Sequence, residues 1–208
     1  RVMVVADTSD EGSDLLTVAV AGTPLQRMLG GRVVVLPMRD MHDAMRASRT
    51  SEYDVIVGPA HVAASALVYG YELIGSTAGQ TKYVLVGAPS IKSLADLKGR
   101  RAYFPAQDSL RSYVARGLLQ EAGMTPRTLK QVTYGQTSGA GLISMTGGGS
   151  EATIALESEW QQWSQAHPKS GVVLATSRDM PSGVTVVVKK DTPEAVRRAV
   201  MQWLASPD

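Results

Sequence analysis

The sequence predicts an α/β protein made of two units. Three observations carry this. "VMVVA" (2–6), "RVVVLPM" (32–38) and "YDVIVGP" (53–59) are continuous apolar runs, the pattern of strands covered on both faces. Segments with helical spacing alternate with them, in the order β-α-β-α-β, the grammar of a parallel sheet with helices on both faces. The alternation then restarts at "KYVLVGAPS" (82–90) and runs through a second set of elements.

Taken in order, "RVMVVA" (1–6) is the first strand and "DTSDEGSD" (7–14) a polar loop. Residues 15–29 have near-helical apolar spacing, interrupted at Pro24. "GGRVVVLPM" (30–38) gives a turn and a second strand, and "RDMHDAMRAS" (39–48) a short helix with Met38, Met41 and Met45 on one side. "YDVIVGP" is a third strand, and "AHVAASALVYG" (60–70) a helix closed by Gly70. In "SLADLKGR" the spacing of Ser93 and Asp96 predicts a capping box on a short helix stopped at Gly99.

"RAYFP" (101–105) is a strand, and the helix after it places Leu110, Tyr113, Val114, Gly117 and Leu118 on one expected core stripe. Asp108 or Ser109 is its expected N-cap. "LKQVTYG" (129–135) is a strand. The glycine-rich 136–150 stretch holds one short helix at most. "EATIALE" (151–157) is a strand and "SEWQQWSQAHP" (158–168) an amphipathic helix. "GVVLATS" (171–177) and "GVTVVVKKD" (183–191) are strands. "TPEAVRRAVMQWLA" (192–205) is a helix expected to be capped by Thr192 with Pro193 at its first position. No internal repeat is visible.

Composition narrows the function classes. The 208 residues carry a net charge of +2 with no basic run, so a charged nucleic-acid surface is not indicated. Cysteine is absent, which rules out disulfides, thiolate catalysis and Cys-ligated zinc. No apolar run approaches the roughly 18 residues of a membrane span. The chain opens in a strand without an initiator Met, so a mature form or an excised domain is expected.

Motifs for chemistry are sparse. His42, His61 and His167 are dispersed, without the spacing of a zinc site. His42 beside Met38, Met41 and Met45 reads as core packing and not as a soft-metal site. The acidic loop of Asp7, Asp10, Glu11 and Asp14 reads as solvated, with a hard cation as the alternative. There is no GxSxG, no GxGxxG after a strand and no P-loop, and no acid/base pair stands out, so an enzyme is not indicated and no cofactor or metal is expected. Trp160 and Trp163 sit three apart on a helix, for packing or a partner face. The most informative stretch is "FPAQDSLRSY" (104–113), a polar helix mouth directly after a strand. Open α/β sheets bind ligands outside the carboxyl ends of strands, and a helix N-terminus favours an anion.

"IKSLADLKGRRAYFPAQDSLRSYVARGLLQEAGMTPRTLKQVTYGQTSGAGL" resembles the second lobe of type II periplasmic binding proteins, most closely the phosphate/phosphonate-binding subunits of ABC transporters. "YDVIVGPAHVAASAL" and "PSGVTVVVKKDTPEAVRRAV" are similar to the first-lobe strand and the return strand with its terminal helix. The resemblance implies two lobes, each a mostly parallel sheet flanked by helices, joined by two crossing strands with a ligand cleft between. Lobe 1 is expected at 1–80 plus 183–208 and lobe 2 at 81–182. It also implies a periplasmic or extracytoplasmic, membrane-associated location. The implied function is binding of a small anionic solute, a phosphate/phosphonate-like oxyanion or a carboxylate, for ABC-type uptake or for sensing. The implied partner is an ABC permease or a membrane sensor kinase, with no nucleic acid bound by this chain. The alternative is the ligand-binding effector domain of a LysR-type transcriptional regulator, which shares the fold.

By the same resemblance, Asp7, Thr8, Ser9, Pro59 and His61 of the first lobe would face the ligand. Ser109, Arg111 and Ser112, with Gln136, Thr137 and Ser138, would face it from the second. The family's Ser/Thr-rich turn appears here as Asp108-Ser109-Leu110-Arg111-Ser112-Tyr113. Its frequent His after the next strand is replaced by Gln136-Thr137-Ser138, and its Gly-x-x-Asp by Gly149-Ser150-Glu151. Arg111 in that place implies a bidentate hold on an oxyanion or a carboxylate. The chain is short for a full transport receptor, which suits a sensor domain or a trimmed member.

Overall fold

A computed structural model describes residues 1–5, 27, 35–38, 40–77, 79–137 and 139–205. The loop at 7–14 and nearly all of the 15–29 segment lie outside the described residues. Contacts divide the described residues into two compact units, the first formed by the N-terminal part up to residue 80 together with 181–205, the second by 81–180.

The first unit holds a five-stranded sheet in the order β2 (Val35–Met38), β1 (Val2–Val5), β3 (Val55–Gly58), β12 (Thr185–Lys189), β4 (Tyr71–Ser76). β1 is parallel to β2 and β3, while β12 runs antiparallel to both β3 and β4. Four strands therefore share one direction and β12 alone is reversed. Residues of alternating parity fill the two faces, as the strand pleat requires. Val2, Val4, Val55, Val57, Val186 and Val188 form one core cluster with Val200 of α6 (Glu194–Ala205). Met3, Ile56 and Val187, of opposite parity, are also fully buried. α2 (Ala60–Val68) packs on β3, β4 and β12, and α1 (Met41–Ala47) on α2 and β2.

Asp40 caps α1, its carboxylate accepting the backbone N–H groups of His42 and Asp43 at 2.8 and 3.3 Å. Met41 and Met45 are buried on that helix, filling core. The helix after β12 starts one residue later than its sequence suggests. Its first helical residue is Glu194, and the Thr192 hydroxyl has no hydrogen-bond partner.

The second unit repeats this plan. Its sheet runs β8 (Gln131–Gly135), β7 (Arg101–Pro105), β9 (Ala152–Leu156), β6 (Tyr83–Gly87), β10 (Val172–Thr176). β7 is parallel to β8 and β9, and β6 is antiparallel to β9 and β10. Again one strand of five is reversed, the fourth across. The reversed strands β6 and β12 are the first long strands after the short segments β5 (Gln80–Thr81) and β11 (Met180–Pro181). β5 and β11 pair as a separate two-stranded ribbon where the chain passes between units. The expected two-lobed architecture with mostly parallel sheets is present. Neither β4 nor the β5–β11 ribbon is announced in the sequence.

Helices cover both faces of the second sheet. Val84, Val86 and Ala155 pack with Leu142 and Met145 of α4 (Gly139–Thr146) and Trp160 of α5 (Glu157–Ala166). On the opposite face α3 (Leu110–Glu121) packs on β6, β7 and β9. The buried residues of α3 are Leu110, Arg111, Ser112, Ala115, Leu118 and Leu119; Leu110 and Leu118 are buried as expected, whereas Gly117 is exposed and Tyr113 and Val114 are only half-buried. Burial of the two polar residues is tolerated because the terminal nitrogens of Arg111 pair with Glu159 and the Ser112 hydroxyl donates to the Pro105 carbonyl. Before β7, Asp96 accepts the N–H groups of Ser93 and Lys92 at 3.0 and 3.2 Å, half of the expected box, and Gly99 ends the turn at φ +73°.

Candidate functional site

The four parallel strands of each sheet put their carboxyl ends on one edge, where an open α/β sheet presents its ligand site. In the second unit Pro105 ends β7 and Gly135 ends β8, directly paired in register. The loops 106–109 and 136–138 therefore leave the sheet side by side. This brings Ser109, Gln136 and Thr137 to one edge; Gln136 and Thr137 are exposed there, and Ser138 lies outside the described residues.

The helix mouth is locked from within. Ser109 is the N-cap of α3, its hydroxyl accepting the Ser112 N–H at 3.3 Å. The Ser112 hydroxyl donates to the Pro105 carbonyl at 2.7 Å, tying the helix to the end of β7. Both side chains are completely buried. Arg116 reaches back to the carbonyls of Gln107 and Ser112 at 2.5 and 3.3 Å and stacks on Tyr113, which fixes the loop before the cap.

Arg111, the residue expected to grip the solute, is engaged by the protein itself. Only 1% of its side chain is exposed, and its two terminal nitrogens donate to the two oxygens of Glu159 at 2.6 and 2.8 Å. Its guanidinium carbon lies 5.8 Å from the Tyr83 ring centroid. A buried guanidinium needs such a partner, because leaving the charge unpaired away from water is costly. Burial pushes the Glu159 carboxyl up, yet the hydrogen bond and charge of Arg111, with the Leu156 N–H at 3.2 Å, outweigh it and hold its pKa below the usual range.

The first-unit edge is built by Val5, Met38 and Gly58. Gly58 is needed there, since a Cβ would come within 3.0 Å of the Val5 Cβ. Pro59 begins α2 without a side-chain cap, and His61 stands in the first turn with 7% exposure. The structure thus sets Pro59 and His61 at the carboxyl edge of the first sheet. Asp7, Thr8 and Ser9 lie outside the described residues. Among the described residues no group of three or more His, Asp or Glu is arranged to hold a metal ion.

Glu151, counted by resemblance with the ligand loops, sits at the start of β9, on the opposite edge. Its carboxylate accepts from the Arg101 backbone N–H at 2.8 Å and from the Arg101 guanidinium at 2.9 Å. The Arg101 hydrogen bond holds the Glu151 carboxyl below the usual range. Its work is to pin β7 to β9.

One residue at the second-unit edge escapes a sequence reading. Tyr103 pairs with Thr133, but its ring leans two residues toward the carboxyl edge and lies over Gly135. A Cβ on Gly135 would fall 1.6 Å from the phenol oxygen. The near edge of the ring meets Gly141, in the first turn of α4, where a Cβ would lie 3.3 Å from the Tyr103 ring and 2.1 Å from the Thr153 hydroxyl. A tyrosine on a strand beside a helix mouth is the only trace of this in the sequence.

Comparison with known proteins agrees with this architecture. The family model described as "ABC transporter, phosphonate, periplasmic substrate-binding protein" matches residues 17–207. No curated protein matches the sequence. Among solved structures, PhnD1 of Prochlorococcus marinus in complex with methylphosphonate is 17% identical. The alignment covers 98% of this chain and 82% of that one, at a TM-score of 0.63. A Xanthomonas citri protein, XAC2383, bound to ATP is 14% identical over 99% of this chain and 84% of its own, at 0.70. The binding-protein component of a phosphonate ABC transporter from Pseudomonas aeruginosa is 12% identical over 97% and 72%, at 0.60. At these identities the likeness is one of fold.

Proposed function

Because the chain belongs to the phosphonate periplasmic substrate-binding family of ABC transporters, we propose that it binds a small oxyanion at the carboxyl-edge loops and hands it to an ABC permease. The family is one of periplasmic substrate-binding proteins, which capture a solute rather than transform it. For this chain we infer the same non-catalytic role in an extracytoplasmic setting. No helix among the described residues is long and apolar enough to cross a membrane. The family match favours a receptor over the effector-domain alternative, which has the same fold.

The observation that carries the proposal is the placement of polar loops at the carboxyl edge of each sheet. Gln136 and Thr137 stand exposed beside the α3 mouth, and Pro59 and His61 open α2. We assign the ligand set to these residues, together with Asp7, Thr8, Ser9 and Ser138. Ser109, Arg111 and Ser112 we assign to shaping the mouth, since their polar groups are already spent on Glu159, Pro105 and each other.

Titration calorimetry of the 208-residue chain with methylphosphonate, inorganic phosphate and acetate tests this. Saturable binding of at least one of these anions is the expected result. Heats no larger than dilution for all three would overturn it.

A further inference from the structure

We propose that Tyr103 is a ligand-binding residue whose phenol donates a hydrogen bond to an oxyanion of the bound solute, an inference that rests on the solute-binding reading above. The argument begins with the seat of the ring. Two positions without side chains border Tyr103: its hydroxyl fills the place of a Cβ at Gly135, and its ring edge lies 3.3 Å from the place of a Cβ at Gly141, which the Thr153 hydroxyl fills. They belong to different elements, the end of β8 and the first turn of α4. A Cβ at Gly135 would overlap the phenol oxygen outright. Gly135 is therefore committed to holding this ring where it is, and Gly141 leaves room beside it.

The seat delivers the hydroxyl to the carboxyl edge. Gly135 is the last residue of β8, and Gln136 and Thr137 follow it directly. The phenol oxygen thus lies over the last residue of β8, where the exposed loop leaves the sheet.

Packing alone does not explain the hydroxyl. Tyr71, a core tyrosine of the first unit, shows what a packing role looks like. It is 1% exposed and its hydroxyl donates to the Tyr53 carbonyl at 2.5 Å. Tyr103 is only half-buried, and its hydroxyl makes no hydrogen bond among the described residues. A ring held in a dedicated seat, with its donor unspent at a sheet's carboxyl edge, is arranged to meet something that is not protein. A neutral phenol donor suits an oxyanion. It adds an O–H without a second formal charge, and hydrogen bonds to charged acceptors are the stronger kind. Phosphonate, phosphate and carboxylate share that acceptor chemistry, and separate titrations tell them apart.

Tyr103→Phe isolates the hydroxyl, because phenylalanine keeps the ring in its seat. The full chain and the Y103F variant are titrated with methylphosphonate, inorganic phosphate and acetate, and their melting temperatures are compared without ligand. The expected result is about a tenfold or greater loss of affinity for the anion that the wild type binds, at an unchanged melting temperature. Equal affinities in the two proteins would overturn the role of Tyr103 and leave the anion-binding reading standing. A loss of affinity matched by a fall in melting temperature would overturn it too, since the hydroxyl would then be holding the fold. No binding of any of the three by the wild type would overturn both.

Discussion

Arg111 and Glu159 meet in a two-pronged ion pair that fastens α3 to α5 across the carboxyl edge of the second sheet. The two helices lie on opposite faces, so the pair spans the end of the sheet instead of lying along one surface. The guanidinium is wholly buried, whereas a third of the Glu159 side chain reaches solvent.

This asymmetry sets an order among variants. Glu159→Ala leaves a buried guanidinium without its carboxylate and should cost about 3 kcal/mol or more. Arg111→Met keeps much of the volume and leaves a carboxylate that water can reach, so a cost of about 1–2 kcal/mol is expected. The double variant R111M/E159L should lie within about 1 kcal/mol of the wild type, as apolar replacement of buried pairs often does. Urea unfolding of the four proteins measures the order. An R111M variant less stable than E159A would contradict it.

The same pair makes stability depend on pH. The folded pKa of Glu159 is depressed, so its contribution is complete above the ordinary glutamate range, about 4.3, and is lost as pH falls through the lower folded value. Glu159→Gln removes that contribution. The stability gap between wild type and E159Q should therefore be constant near neutrality and shrink in acid. Denaturation midpoints from pH 7 down to the acid limit of folding measure it, and a gap that widens in acid would refute the sign.

Gly141 is a packing requirement. A Cβ there would lie 2.1 Å from the Thr153 hydroxyl, on a stiff, β-branched side chain with no exposure. Gly141→Ala should cost about 1–3 kcal/mol through overpacking. Adding Thr153→Ala should recover much of that loss, because it removes the obstructing atom. The Thr153 hydroxyl has no hydrogen-bond partner, so its removal forfeits none. Thermal unfolding of the single and double variants tests the coupling. Simple additivity would argue against the clash.

The long strands were legible because their burial on both faces writes itself as unbroken runs of Val, Ile and Leu. β4 was not. "YELIGS" carries Glu72 and Gly75 on a strand that pairs with β12, which comes from the far end of the chain. Glu72 is there to bind Arg197 of α6, a contact no local pattern announces. The α3 stripe was right at Leu110 and Leu118 and wrong between them, because periodicity ranks residues by apolarity and the helix buries Arg111 and Ser112 by pairing them with Glu159 and the Pro105 carbonyl. The helix mouth itself was found from its position after a strand. Tyr103 stayed hidden because its hydroxyl sits in the place of an absent side chain, at Gly135. The shared strand order of the two units leaves no mark in sequence either, since handedness and strand direction impose it without any particular residues.

The placement of β12 bears on biosynthesis. All five strands of the second sheet lie between residues 83 and 176, so that sheet can be assembled as soon as those residues have left the ribosome. The first sheet cannot. Its slot between β3 and β4 stays open until residues 185–189 emerge, and until then both neighbours present raw hydrogen-bonding edges. The N-terminal half of this protein is thus the last to finish, and a nascent chain stalled before Thr185 is the form that chaperones would have to shield.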